Sequence, residues 1–223
     1  MKNIMSTGSR KKRIEEILLV HNEISGRIQG RLDEFRRIWE TGDDTALFVE
    51  LVFCLLTPQS GARRCWQAVE ILVKDDCLFG GCFEDICRVL NIVRFKNNKS
   101  SYILEARDFF MTKGNSLRRI LCDLKDGAGR REWLVKNVKG LGYKEASHFL
   151  RNIGLGDSIA ILDRHILRSM ESLGLIEGIP VSLSPRLYFE LEAKLRAFAV
   201  RVGIPLDHLD FVLWYMETGD IFK

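Results

Sequence analysis

The sequence predicts an all-α fold, and three observations predict it. Apolar residues recur at helical spacing along most of the chain, with few alternating β-branched runs. Only four prolines fall among its 223 residues, so little interrupts such helices. Gly42, Pro58, Gly154, Gly174, Pro185 and Pro205 stand at ends of the apolar-periodic stretches, where helix stops and starts belong. With 46% hydrophobic and 29% charged residues, the chain is long enough for one large domain or two small ones, each with a core.

Residues 1–9 read as an irregular start before the basic run Arg10-Lys11-Lys12-Arg13. Helices are expected over 13–25 and 28–40, with Ile14, Ile17, Leu18, Ile24, Ile28, Leu32, Phe35 and Ile38 turned inward. Thr41-Gly42-Asp43-Asp44 breaks the pattern and caps a helix over 45–56 that is apolar nearly all round, hence buried. That helix stops at Thr57-Pro58-Gln59 because the residue before a proline leaves helical geometry. A helix over 61–74 leads into the Gly80-Gly81 loop, and shorter helices follow near 83–91, 98–112, 115–124 and 129–137. A helix over 143–153 ends at Gly154, a left-handed C-cap. Asp163 opens a helix to about 173, Ser184-Pro185 a long amphipathic one to about 202, and Pro205 the last, through Met216.

The tract Val138-Lys139-Gly140-Leu141-Gly142-Tyr143-Lys144 is the most informative part of the chain. Its two glycines let the backbone turn tightly and approach a ligand. The helix start that follows offers unpaired N–H groups and a positive dipole end, a seat for a phosphate. Charge supports that reading. From Arg94 to Arg151 there are fourteen Lys and Arg against six Asp and Glu, a net of +8 within a chain whose total is +4, so the remainder carries −4. The hairpin thus lies in the basic portion, as a nucleic-acid surface should. Nineteen residues beyond Lys144, Asp163 stands at a helix start. An amine and a carboxylate flanking a phosphate seat point to chemistry on a nucleotide.

The cysteines at 54, 65, 77, 82, 87 and 122 include no CxxC pair, so a zinc site is not expected and reduced thiols are. With none beyond Cys122, a C-terminal iron–sulfur cluster of thiolates is excluded. No apolar leader with a small-residue cleavage site follows the basic N-terminus, and no run reaches the length of a membrane span. The expected setting is the cytoplasm, at the nucleoid.

The hairpin resembles the helix-hairpin-helix of base-excision DNA glycosylases. Gly142-Tyr143-Lys144-Glu145-Ala146-Ser147-His148-Phe149-Leu150-Arg151-Asn152 and Asp163-Arg164-His165-Ile166-Leu167 are similar to the type 2 8-oxoguanine DNA glycosylase/lyases. The similarity extends to Leu56-Thr57-Pro58-Gln59, Arg94-Phe95-Lys96-Asn97-Asn98-Lys99 and Leu213-Trp214-Tyr215-Met216-Glu217-Thr218-Gly219. The link from Gly154 to Asp163 is one residue longer than the family's pattern. The resemblance implies two helical lobes with a DNA-binding cleft between them and no iron–sulfur cluster. Residues 1–47 would join the C-terminal lobe of 156–223, and 48–155 would form the central lobe with the hairpin.

The implied activity is that of a bifunctional base-excision-repair enzyme, which flips out 8-oxoguanine, removes it, and cleaves the strand by β-elimination. Lys144 would attack C1′ as the nucleophile, its amine freed of its proton by desolvation and neighbouring positive potential. The ordinary alternative for Lys144 is a phosphate contact. Asp163 would activate the amine and stabilise the positive sugar; its ordinary role is an N-cap, and the two are compatible. Phe95 and Trp214 are candidates for the faces that hold a flipped base, although aromatics of this kind are core by default. Asp210, one turn before Trp214, would read a base edge. In the family it resembles, the C-terminal lysine accepts the N7 hydrogen that only the oxidised base carries, and this sequence ends in Lys223.

Gln59 would fill the gap left by the flipped base. Lys139, Gly140 and Gly142 would meet the DNA backbone. His148 is expected to be a satisfied core histidine, whereas His165, beside Asp163, stays open between core and site. No cofactor is required; the superfamily admits a monovalent cation on the hairpin carbonyls. The expected partner is damaged double-stranded DNA, met by a monomer and away from membranes. Two alternatives remain: a non-catalytic helix-hairpin-helix DNA-binding protein, or a glycosylase for another damaged base.

Overall fold

The structure, a computed structural model, describes residues 7–223, and no strand occurs among them. The expected irregular start falls outside the described residues for 1–6, whereas 7–9 already belong to a helix. The chain divides into two compact units, one from the N-terminal residues through Phe35 with Gly156–Phe222, the other from Arg36–Leu155 with Lys223.

One helix, α1 (Thr7–Thr41), replaces the two expected over 13–25 and 28–40. Gly26 and Gly30 keep ordinary helical backbone and do not interrupt it. Each glycine costs about 1 kcal/mol in a helix. Ile24, Ile28, Leu32 and Phe35 form one continuous buried stripe across them, and each such side chain contributes about 1.5–3 kcal/mol. The stripe wins.

In the unit holding Arg36–Leu155, α2 (Asp44–Leu56) is the central rod. Asp43 caps it, Oδ1 accepting the Ala46 N–H at 2.8 Å. Leu47, Phe48 and the run Leu51–Leu56 are all buried, as the apolar sequence required. Around it lie α3 (Ala62–Lys74), α4 (Phe83–Val89) with a 3-10 turn over Leu90–Ile92, and α5 (Lys96–Arg107) with a π-helical turn over Asp108–Thr112. Then come α6 (Leu117–Asp123), α7 (Gly127–Asn137) and α8 (Tyr143–Asn152). Helices α3, α5, α6 and α8 all pack on α2. Arg118 fastens the entry to α2: its guanidinium donates to the carbonyls of Trp39 and Gly42 and lies 4.5 Å from the Trp39 ring centre. Past α8, Gly154 takes φ +75°, and a Cβ there would stand 2.6 Å from the Arg36 Cα, so the helix exit admits only glycine.

In the other unit, α9 (Arg164–Ser172), α10 (Pro185–Val202) and α11 (Leu206–Thr218) join the N-terminal part of α1. Phe35 stacks on Phe211 with centroids 6.4 Å apart, and His21 and His208 share a hydrogen bond of 3.1 Å. The non-helical stretch before α9 is buried, so its backbone needs partners. Glu192 of α10 accepts the Ala160 N–H at 2.6 Å. The Tyr188 hydroxyl donates to the Ala160 carbonyl at 2.7 Å and accepts the Leu162 N–H at 3.3 Å. Two side chains of one helix thereby fix the strand-like approach to Asp163.

Candidate active site

Helices α7 and α8 with the turn between them form a helix-hairpin-helix. Val138 and Leu141 are buried beneath the turn, and the Leu141 N–H bonds the Val138 carbonyl at 3.2 Å. The two helices are laced together by Tyr143, whose hydroxyl donates to Glu132 at 2.7 Å, and by the buried Arg131, which donates to Ser147 Oγ at 3.1 Å. Gly140 has φ +94°, and a Cβ there would lie 2.4 Å from the Tyr102 ring. Gly142 is the N-cap of α8 and is exposed. Gly140→Ala is therefore expected to destabilise the protein by about 1–3 kcal/mol through left-handed strain alone, with the tyrosine contact adding to it. The shift of the urea midpoint measures this.

Lys139 is exposed at the tip of the hairpin, paired with Glu105 at 2.7 Å and 5.8 Å from the Tyr102 ring centre. That carboxylate holds the Lys139 ammonium above the usual lysine range. Lys144 occupies the first turn of α8 and keeps 24% of its side chain exposed. Its Nζ lies 3.3 Å from Thr57 Oγ1 and 3.7 Å from Glu145. The threonine belongs to the turn that ends α2, so the amine is fastened across two elements.

That turn carries Gln59, exposed and in the left-handed region at φ 54°. Phe95, the N-cap of α5, is likewise left-handed at φ 59° and is 53% exposed, against the core position that is an aromatic's default. The Arg94 guanidinium sits 5.9 Å from its ring centre.

Lys223 is held in the same unit, its side chain only 9% exposed. The ammonium pairs with the buried Glu50 and lies 3.7 Å from the Trp66 ring centre and 5.7 Å from that of Phe53. Glu50 also accepts from Asn152 Nδ2 at 3.2 Å, and Arg151 donates to Asn152. A buried carboxylate thus gains a cation and an amide. Phe53 stands edge-on to His148 at 5.4 Å. His148 is buried as expected of a core histidine; neither ring nitrogen makes a hydrogen bond of ordinary geometry, and its polar neighbour is the Lys223 backbone. Burial first, then the charges of Arg151 and Lys144, hold it well below the usual imidazole range, hence neutral.

In the other unit Asp163 caps α9, Oδ1 accepting the Ile166 N–H at 2.8 Å, and its carboxyl is half-buried. His165 meets the Trp214 ring edge-on at 4.7 Å. Asp210 is buried one turn before Trp214 on α11, and Trp214 itself is half-buried. Within the two units the structure therefore brings together Lys144, the Gln59 turn and the hairpin in one, and Asp163 with the His165–Trp214 pair in the other. Sequence reading missed Glu50, Trp66 and Lys99. The signal for Glu50 was present: a lone carboxylate amid the apolar run Ala46–Leu56 must be buried and paired.

No helix among the described residues is long and apolar enough to cross a membrane, and no group of three or more His, Cys, Asp or Glu placed to hold a metal occurs among them. All six cysteines are free thiols.

An all-helical chain with a lysine on the helix that leaves a glycine hairpin belongs to the helix-hairpin-helix class of DNA repair proteins. The family model described as 8-oxoguanine DNA glycosylase matches residues 28–204, and the chain belongs to that family. An 8-oxoguanine DNA glycosylase/AP lyase of Fusobacterium nucleatum is 49% identical over 209 residues, 93% of this chain and 96% of the relative. The crystal structure of the 8-oxoguanine DNA glycosylase of Thermotoga maritima superposes with a TM-score of 0.86 at 33% identity, covering 96% of this chain and all of that one. The Methanocaldococcus jannaschii 8-oxoguanine glycosylase/lyase in complex with a 15mer DNA containing 8-oxoguanine gives 0.86 at 35% identity, covering 94% and 99%.

Proposed function

We propose that the chain is a bifunctional DNA glycosylase and AP lyase that removes 8-oxoguanine from duplex DNA and cleaves the strand. The observation that carries this reading is Lys144: a partly buried amine on the first turn behind the hairpin, held by Thr57 rather than turned out to solvent. A lysine used only for phosphate contact gains nothing from such a seat. Relatives named for both activities, and a structural neighbour solved with the lesion in its DNA, support it.

In the proposed reaction the hairpin amides and Lys139 hold the phosphate backbone. The oxidised base turns out of the stack; Phe95 and Trp214 are proposed as aromatic faces for it, Asp210 as the reader of a base edge and Gln59 as the residue that fills the vacated gap. The Lys144 amine attacks C1′ as the C1′–N bond breaks, and the base leaves with the bonding pair. Asp163 activates the amine and balances positive charge on the sugar. Ring opening gives a Schiff base at C1′; loss of a C2′ proton then expels the 3′ phosphate by β-elimination, and water releases the amine. Lys223, its ammonium held by Glu50, is assigned to reading the N7 hydrogen through a main-chain oxygen, since the ammonium only donates.

This chemistry needs no redox group, and a monovalent cation on the carbonyls of the 138–142 turn would serve only to hold phosphate. We place the enzyme in the cytoplasm at the nucleoid, acting as a monomer. The test is base release and nicking over duplexes carrying 8-oxoguanine, an oxidised pyrimidine, an alkylated purine or no lesion. Preferential release of 8-oxoguanine supports the proposal; release of another base favours the alternative glycosylase, and binding without release a purely structural module.

Affinity for undamaged duplex is expected to fall steeply with salt. Lys139→Ala should weaken damaged and undamaged duplex alike and reduce the slope of log K against log salt by about one, the counterion released at one phosphate. A loss confined to the lesion would instead make Lys139 a reader of the base.

A further inference from the structure

Lys99 is the most enclosed cation of α5, only 3% exposed. Its ammonium donates to the Leu56 carbonyl at 2.7 Å, the Pro58 carbonyl at 2.9 Å and Ser60 Oγ at 3.0 Å. All three donors of the group are used. Its own N–H bonds the Phe95 carbonyl at 3.0 Å. Ser60 Oγ in turn accepts the Arg94 N–H at 3.0 Å. One residue therefore grips the turn that ends α2 through its side chain and the start of α5 through its backbone, and the serine ties the two loops to each other.

What these loops carry gives the arrangement its meaning. Three non-glycine residues take positive φ among the described residues, and two of them, Gln59 and Phe95, sit one on each loop, both exposed. A side chain persists in that region only when its surroundings over-determine it. The Lys99 contacts flank both positions: Pro58 and Ser60 beside Gln59, and Phe95 itself. The same turn presents Thr57, which holds the Lys144 amine at 3.3 Å. Burial weakens the hold on the proton, and Lys144 nearby adds to this, while Cys65 and Glu145 oppose it. Carbonyl dipoles replace a counter-ion here, so no carboxylate ties Lys99 to a neighbouring surface.

We propose that Lys99 is a positioning residue that locks Gln59 and Phe95 into a rigid two-pronged element by which the protein engages distorted duplex DNA. The inference rests on the DNA-repair reading above. It requires that the prongs act as a pair, because a single bracket sets both.

The test uses Lys99→Met, which keeps the buried stem and removes the donors, and Ser60→Ala, a small change that cuts the tie between the loops. Duplexes carrying 8-oxoguanine or a tetrahydrofuran abasic analogue, with 2-aminopurine beside the lesion, report affinity and local unstacking. Each variant is expected to bind the abasic duplex at least tenfold more weakly and to lose most of the 2-aminopurine fluorescence rise. The slope against salt stays unchanged, because no phosphate contact is removed. Single-turnover base release at saturating enzyme falls much less than affinity. The double variant should be little worse than either single one, since both cut the same bracket.

Wild-type affinity and fluorescence in Ser60→Ala would overturn the proposal, as would additive losses in the double variant. Should Lys99→Met fail to fold, Ser60→Ala decides alone. If wild-type protein releases no 8-oxoguanine, the repair reading fails, while the abasic-duplex arm still judges the bracket.

Discussion

Lys144→Gln is expected to abolish both base release and the borohydride-trapped adduct on an 8-oxoguanine duplex, with affinity for that duplex within about threefold of wild type, since one phosphate contact is the most it can lose. The amide keeps a polar, uncharged group one bond shorter than the amine, beside Thr57 and Glu145, whose contacts with the amine are 3.3 and 3.7 Å. It has no lone pair able to attack C1′. Covalent catalysis disappears with the nucleophile rather than declining with it, so the expected effect is the largest of any single change. A variant that binds poorly but still traps adduct would return Lys144 to phosphate contact. Melting in the absence of DNA should be close to wild type, because the side chain is partly exposed and its contacts of 3.3 and 3.7 Å are long ones.

Asp163→Asn is expected to leave folding nearly intact and reduce turnover by about a hundredfold or more, the range for losing a positioned acid–base group. Asp163 Oδ1 caps α9 through the Ile166 N–H at 2.8 Å, and Asn caps as well as Asp does. Only the charge goes. Single-turnover base release paired with a thermal melt separates the roles. Wild-type turnover reduces Asp163 to a cap; slow turnover with an unchanged melt gives it the chemistry. Asp163→Ala is the control, removing cap and charge together, and is expected to cost about 1 kcal/mol more in stability than the Asn variant.

What could be read in the sequence was whatever is local. The hairpin glycines, the Asp43, Asp163 and Ser184 caps and the Gly154 and Gly174 exits follow from rules that span a turn or two, and the structure has each of them. The merging of two expected helices into α1 was hidden because glycine signals a break, whereas the continuous Ile24–Phe35 stripe outweighs it. The exposed, left-handed Phe95 was also illegible: its neighbours Arg94 and Lys99 are bound by residues 56–60 on another element, which nothing local in the sequence announces.

The same limit applies to the supports of the site. Lys99, Glu50, Tyr188 and Glu192 each satisfy groups between 26 and 173 residues away. Lys99 and Glu192 are written like residues that face water, whereas Glu50 stands alone in an apolar run, which announces its burial but not its partner. The candidate nucleophile was legible because its position on a helix start is itself local; what holds it was not.

The most direct measurement is to trap the wild-type protein with borohydride on an 8-oxoguanine duplex, digest the adduct, and locate the sugar remnant by mass spectrometry. The account predicts that it lies on the peptide containing Lys144 and that the free base released is 8-oxoguanine. A remnant on any other lysine, or base release with no adduct at all, would contradict it.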